Sequence, residues 1–268
     1  MASSSTNQTS AEIIIESVSV RFDGDDADVL ALDNIDLQVR ENEFVCIMGP
    51  SGCGKTTILN TIAGFVKPTS GKVEVGGRLV IQPGPDRAVV FQEDAVFPWM
   101  TVEENIGFSQ RVSGKSKQEI KEAVDRFVEL VGLEDFRTAW PKQLSGGMKK
   151  RVDLARGYAA DPEVLLLDEP FGALDIMTKE YLQEALHNLW LAAPRTIVFI
   201  THDLEEALFL GDRVVIMTPR PGKIDRIYEP NFPKPRDMSF KIDERYVDYL
   251  TDIRRHLLGG TAHESSGS

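Results

Sequence analysis

Three short stretches of the chain carry residue types that could do chemistry. The first is Gly49-Pro50-Ser51-Gly52-Cys53-Gly54-Lys55-Thr56. Its G-x-x-x-x-G-K-[ST] spacing is that of a phosphate-binding loop. Glycines let the backbone wrap so that successive N–H groups point at phosphate oxygens, and a following helix adds the positive end of its dipole. In such a loop Lys55 reaches the β- and γ-phosphates of a nucleotide such as ATP, and the Thr56 hydroxyl binds Mg2+. Thr57 completes the phosphate-binding set. The second stretch is Val164-Leu165-Leu166-Leu167-Asp168-Glu169. Its four apolar residues read as a buried strand that delivers two carboxylates at its C-terminal end, where α/β sheets bind ligands. Asp168 suits Mg2+ coordination through water, and Glu169 suits the polarising of an attacking water. The third is Leu144-Ser145-Gly146-Gly147-Met148. Here Ser145 and the two glycines open a helix whose N-terminus can face an anion.

These groups need a scaffold, and the hydrophobic pattern supplies one. Residues 44–48 form a continuous apolar run ended by glycine, a buried strand, and 56–63 read as a helix. Strands are also expected at 13–20, 29–39 and 88–91. A hairpin is expected over 73–81, turning at Gly76-Gly77. Residues 93–160 change to helical character. Within them Ser116 and Glu119 fit a capping box, and Ile120, Val124, Phe127, Val128 and Val131 fall on one face before Gly132 stops the run. Strand–helix alternation then resumes, with strands at 164–167, 196–200 and 214–217, helices at 177–191 and 204–210, and a turn at Pro219-Arg220-Pro221-Gly222. The expectation is a mostly parallel α/β core with a flanking antiparallel portion.

Bulk properties narrow the class. The 268 residues, 42% hydrophobic and 27% charged, are ordinary for a globular chain. No run approaches the roughly 18 unbroken apolar residues of a membrane helix. The formal net charge of −12 opposes binding to nucleic acid or acidic lipid, with Lys149-Lys150-Arg151 the one candidate basic patch. Cys46 and Cys53 are too few for a disulfide framework and sit beside and inside the phosphate loop, where a bridge would distort it, so both are expected reduced, as in the cytosol. The polar ends, 1–10 and 259–268, are expected to be disordered.

The three motifs together resemble the ATPase subunits of ABC transporters, and the likeness runs over residues 13–258. The Leu-Ser-Gly-Gly sequence stands where that family has its signature, shortly before the second acidic motif. The resemblance implies a P-loop NTPase fold of the ABC type, with an antiparallel β subdomain, a helical insertion at about 93–160 and a C-terminal extension at about 231–258. It implies that Phe22 stacks on adenine and that Gln92 touches Mg2+ and relays to the membrane subunit. It further implies that Gly172-Ala173-Leu174-Asp175 connects two nucleotide sites and that His202 contacts the γ-phosphate. Ser145, Gly146 and Gly147 would face the nucleotide held by Lys55 of a second copy, or of a paralogous ATPase.

Phe97-Pro98-Trp99-Met100-Thr101-Val102, Pro219-Arg220-Pro221-Gly222 and Pro233-Lys234-Pro235-Arg236 resemble the nitrate, sulfonate, taurine and bicarbonate importers, whose relatives also serve thiamine-precursor uptake. The partners implied are a membrane-spanning permease and, indirectly, an extracytoplasmic solute-binding protein, at the cytoplasmic face of the inner membrane. Phe97, Trp99 and Met100 are candidate permease contacts. Met148 stands where glutamine is commoner, and Gly157-Tyr158 where alanines are usual. An ABC ATPase of DNA repair, chromosome maintenance or translation is the alternative. It would bring coiled-coil insertions, a zinc hook or a second ATPase domain, none of which is in the sequence. A regulatory relative would have lost Lys55, Glu169 or His202. A nucleotide kinase would not need Ser145-Gly146-Gly147.

Overall fold

The computed structural model describes residues 11–24, 28–93, 95–172 and 174–260. Segment 1–10 and residues 261–268, both expected to be disordered, lie outside these. Gly259 and Gly260, expected in the tail, are instead the last residues of a helix.

The chain opens with β1 (Ala11–Phe22), β2 (Val29–Arg40), β3 (Phe44–Met48) and α1 (Lys55–Ala63). β4 (Ser70–Val75) and β5 (Arg78–Leu79) pair antiparallel about Gly76 and Gly77, whose φ of 54° and 72° are what a two-residue hairpin turn requires. After β6 (Arg87–Val90) come α2 (Val102–Ile106), α3 (Phe108–Val112), α4 (Lys117–Leu130) and α5 (Gly146–Ala159). Strand and helix then alternate through β7 (Val164–Asp168), α6 (Ile176–Ala192), β8 (Thr196–Ile200), α7 (Leu204–Leu210), β9 (Arg213–Met217) and β10 (Ile224–Tyr228). The chain closes on α8 (Glu244–Gly260).

Two sheets result. One is antiparallel, in the order β2-β1-β4-β5. The other has the order β10-β9-β3-β8-β7-β6, parallel from β9 to β6 with β10 antiparallel at its edge. β3, β8 and β9 are buried at every residue, because both faces of the parallel sheet are covered. The two-residue period of a strand divides them between two cores. Val45 and Ile47 face α1 and the antiparallel sheet, while Phe44, Cys46 and Met48 face the helices that follow β6.

α4 carries the Ser116–Glu119 capping box and buries Val124, Phe127 and Val128, with Gly132 just beyond its end at φ 61°. The run Lys149-Lys150-Arg151 is not a basic patch. Lys150 is buried and donates to the carbonyls of Phe91 and Gln92, and Arg151 donates to those of Val131 and Gly132. Two of the three charges are thus committed to internal carbonyls, which leaves only the half-buried Lys149 to present charge there.

The stretch after β10 packs on α6 and α7. Arg236 is buried and donates to the carbonyls of Phe209 (2.7 Å) and Gly211 (3.1 Å), and its backbone N–H donates to His187 Nε2 at 3.0 Å. Lys234 pairs with Asp212 at 2.7 Å over the Trp190 ring. The Pro-Lys-Pro-Arg stretch thus fastens the C-terminal helix to the core.

His187 is buried beside the two cations Arg236 and Lys234. Burial first, then those charges, lower its pKa from 6.5 to about 4. Between these values the unfolded chain binds more protons than the native one. The stabilisation is therefore complete above pH 6.5 and is lost as pH falls toward 4. In denaturant titrations His187→Gln should flatten the pH dependence of stability in that window, by up to about 1.4 kcal/mol per pH unit. Equal slopes for variant and wild type would contradict this origin.

Candidate functional site

Because β3, β6, β7 and β8 are parallel, their C-terminal ends share one edge. The register is tight: Ile47 lies opposite Ile200, Ile200 opposite Asp168, and Leu167 opposite Val90. Within two residues of that line the chain delivers Gly49, His202, Glu169 and Gln92.

The phosphate loop follows β3 and runs into α1. Gly54, at φ 102°, caps the helix, and no acidic residue stands in the first turn. Among the described residues no backbone acceptor takes the N–H groups of Thr56 or Thr57, while the Lys55 N–H is turned to the buried Cys53 thiol. The open N–H groups form an anion-binding concavity. The loop is clamped from below, since a Cβ on Gly54 would stand 2.6 Å from Leu32 Cδ2 and one on Gly222 would stand 2.0 Å from the Cys53 carbonyl. Lys55 Nζ folds onto the carbonyls of Gly49 (2.9 Å) and Pro50 (3.1 Å). Pro50, Ser51, Gly52 and Thr56 are exposed, whereas the Cys53 side chain is buried under the loop, where burial raises its pKa. Cys53 therefore offers the site only its backbone, and both cysteines are free.

The carboxylates stand across from it. Thr56 Oγ1 donates to Asp168 Oδ1 at 3.3 Å. Burial raises the pKa of Asp168 and the neighbouring Glu169 adds to it, against the Thr56 hydrogen bond. An anion in this half-buried place is one that a cation would relieve. Glu169 takes φ 42°, a conformation that costs a non-glycine residue energy, as the chain turns out of β7. Its Oε2 lies 2.9 Å from His202 Nδ1. His202 is held by the N-cap of α7, where Asp203 accepts from the N–H groups of Glu205 and Glu206 and is tied by Lys179 at 2.6 Å. Gln92 is exposed. Its Nε2 and Glu169 Oε2 both lie within 4 Å of where a Cβ on Gly172 would stand. Phe22, at the end of β1, is 44% exposed and offers a free ring face.

A second constellation lies apart from the first. Ser145 caps α5 by accepting from the Met148 N–H at 3.3 Å, with Gly146 and Gly147 in its first turn and no acidic residue there. Gly147 is required by packing, since a Cβ there would stand 2.5 Å from Thr178 Cγ2. Thr178 in turn bonds Asp175, the cap of α6, and this lowers the pKa of Asp175. Ala173 of the same loop lies outside the described residues. Among those residues no hydrogen bond or ion pair joins Ser145 or Asp175 to the phosphate loop. The candidate residues thus fall into two groups that share no hydrogen bond or ion pair among the described residues.

The candidate permease contacts divide. Phe97 turns inward onto Phe108 (4.7 Å) and under Arg156 (4.9 Å), and Met100 is half-buried. Trp99 is 66% exposed. Beside Phe97, a groove of about 160 Å³ runs between β6 and α5. Gly157 sits at its floor, 3.2 Å (as a virtual Cβ) from Leu165 and Val90 side chains, so this helical glycine lets α5 lie close on the sheet.

Sequence reasoning missed Arg220, whose Nε donates to the Gly52 carbonyl of the phosphate loop at 3.2 Å. It had placed Arg220 in a turn and in a stretch that resembles the importer branch, with no role at the phosphate loop. It also missed the pairing of Lys150, Asp153 and Arg156, whose i, i+3, i+6 spacing on one helix was the available signal.

The family profile described as "ABC transporter" matches residues 32–172. The chain is 46% identical over 239 residues to the nitrate import ATP-binding protein NrtD of Synechococcus elongatus, covering 88% of this chain and 87% of that one. It is 42% identical to the taurine import ATP-binding protein TauB of Jannaschia sp., over 92% of each. Among solved structures, a dimeric ATP-binding cassette in a post-hydrolysis state with ADP and phosphate matches with a TM-score of 0.70 and 31% identity, over 81% of this chain and 98% of that one.

Removing the Arg220 contact should loosen the phosphate loop without touching the carboxylates. Arg220→Ala is expected to raise the KM for ATP about two- to fivefold, an effect that shrinks with added salt. An unchanged KM at low ionic strength would show that the contact does not shape the loop.

Proposed function

The chain belongs to the ABC transporter family, and from that premise we propose that it powers solute import by hydrolysing ATP between two copies of itself, or with a paralogous ATPase. The observation that carries this reading is the division of the nucleotide-binding groups into two half-sites on one chain. Two chains in two-fold, head-to-tail arrangement would bring Ser145, Gly146 and Gly147 of one against the γ-phosphate held by Lys55 of the other. Asp175 would lie between the two sites, and Phe22 would stack on adenine.

The donor set fits Mg2+. Thr56 Oγ1 and Asp168 Oδ1 are hard oxygen donors 3.3 Å apart, with Gln92 beyond them. Among the described residues no cluster of three or more His, Cys, Asp or Glu could hold a metal. The cation would therefore take its other ligands from phosphate and water. When bound it would offset the charge that develops on the phosphates. Lys55, freed from the Gly49 and Pro50 carbonyls, and the open N–H groups of α1 would hold the phosphate oxygens. Glu169 Oε2 would accept a proton from the attacking water or orient it. His202, through Nδ1, fixes that carboxylate and presents its other edge to the γ-phosphate.

No helix among the described residues is long and apolar enough to cross a membrane. The membrane path would belong to a separate permease at the cytoplasmic face of the inner membrane, docked at Trp99 and the groove beside Phe97. The named relatives favour a small anion or sulfonate as the solute, delivered by an extracytoplasmic binding protein. The acidic chain and the committed charges of Lys150 and Arg151 speak against a nucleic-acid role.

Two experiments test this. Glu169→Gln keeps the binding groups and removes the base, so hydrolysis should fall at least about a hundredfold and ATP should trap a dimer visible by size exclusion. Wild-type turnover in the variant would reject the role of Glu169. Affinity purification of the tagged chain from detergent-solubilised host membranes should bring down a hydrophobic subunit, with recovery reduced about tenfold in Trp99→Ala. Recovery of nucleic acid in its place would favour the DNA-metabolism alternative.

A further inference from the structure

α7 has only seven residues, and a helix of under two turns has little stability of its own. Its N-cap is Asp203, and the residue just before that cap is His202, whose exposed imidazole bonds Glu169 Oε2. Where the imidazole stands is therefore set by what holds α7 and the backbone that enters it.

Two sides of the molecule hold them. From α6, Lys179 pairs with Asp203 at 2.6 Å and with the buried Glu206 at 2.8 Å. The Thr201 hydroxyl joins this group, donating to Glu206 and accepting from the Asp203 N–H at 2.9 Å. The opposite grip comes from the stretch after β10. The last turn of a helix leaves carbonyls without partners inside it. At the end of α7, Arg236 Nη1 takes the carbonyl of Phe209 (2.7 Å) and that of the C-cap Gly211 (3.1 Å). Near the start, the Tyr246 hydroxyl donates to the Glu205 carbonyl at 3.2 Å. Arg254 also pairs with the Glu205 carboxylate, but both are exposed, and such pairs contribute little. Arg236 and Tyr246 are 3% and 1% exposed, and Tyr246 packs against the Phe232 and Phe240 rings. The grip thus rests on two buried side chains, one at each end of α7.

We propose that the C-terminal extension belongs to the catalytic apparatus, with Arg236 and Tyr246 holding α7 at its two ends and so setting His202 against Glu169 and the γ-phosphate. Both are positioning residues, since each acts through the backbone that carries the imidazole. The proposal rests on the role given to His202 above. It adds that this role depends on a segment that carries none of the nucleotide-binding groups. A small shift of α7 would misplace the imidazole and cost rate, while the phosphate loop, on other elements, would keep its hold on ATP.

The test is a double-mutant cycle in the full chain. ATP hydrolysis is measured against ATP concentration by release of labelled phosphate, with thermal unfolding as the control for folding. Arg236→Met removes the donor to both carbonyls. It should lower kcat about tenfold and leave the KM for ATP within about twofold. Tyr246→Phe deletes one hydroxyl and keeps the packing, so it carries the test if Arg236→Met does not fold. It should lower kcat about threefold. In a His202→Ala chain neither substitution should lower the residual rate further, because the group through which they act is gone. Arg236→Lys, which returns a donor to the end of α7, should bring kcat back to within about threefold of the wild type. A folded variant at Arg236 or Tyr246 that keeps the wild-type kcat would overturn the brace and leave the role of His202 standing. So would a loss of the same size with and without His202. A His202→Ala chain that hydrolyses ATP at the wild-type rate would instead overturn the role of His202, and the brace with it.

Discussion

The first turn of any helix leaves N–H groups without partners inside the helix. In most helices a side chain or a neighbouring loop supplies an acceptor. At the start of α1 no backbone acceptor among the described residues takes the Thr56 or Thr57 N–H, and no acidic residue stands in that turn. Leaving those groups open costs stability, and the surrounding structure is arranged to sustain it. Leu32 presses against Gly54, the turn at Gly222 presses against the Cys53 carbonyl, and Arg220 takes the Gly52 carbonyl. The parallel sheet then brings the ends of β6, β7 and β8 to the same edge, so that an acid pair, an imidazole and an amide look onto one anion-binding turn. Strand order, register and the glycines of the loop all follow from that one requirement.

The same device occurs again at α5, with Ser145 as cap and two glycines in place of side chains. It faces elsewhere. Polar loops without contact between them would suit two unrelated anion sites, but under the proposed function the two here carry complementary parts of one reaction. The first holds acid, base and lysine, and the second holds only N–H groups and a hydroxyl. Half a site on each of two faces is what a nucleotide-clamped pair needs.

Much of this was legible in the sequence because the period of the hydrophobic pattern is decisive here. Short apolar runs at 44–48 and 164–167, and the β-branched stretch 196–200, read as strands covered on both faces, and the structure buries them so. Gly76-Gly77 and the Ser116–Glu119 box have mechanisms that do not depend on tertiary context. Four things were hidden for physical reasons. Lys149-Lys150-Arg151 reads as a surface run because sequence alone cannot show carbonyls waiting behind a helix. Phe97 and Trp99 stack on each other at 5.5 Å, but Phe97 also packs on Phe108 while Trp99 is largely exposed, a division that sequence does not show. The helical glycine at 157 looks like a defect until Val90 and Leu165 are seen against it. The end of α8 runs two residues into what composition marks as a tail, since glycine is a poor helix former but not a forbidden one.

The central claim is that one nucleotide is held by the phosphate loop of one chain and the first turn of α5 of another. Chemical cross-linking tests it most directly. Ser51 and Ser145 are both exposed, while Cys46 and Cys53 are buried and should be slow to react. The full chain carrying Ser51→Cys, Ser145→Cys and Glu169→Gln would be treated with a short bifunctional thiol reagent, with and without ATP and Mg2+. The account predicts a cross-linked dimer that forms only with nucleotide and is lost when either cysteine is omitted. A cross-link within a single chain, or a dimer whose yield ignores ATP, would contradict it.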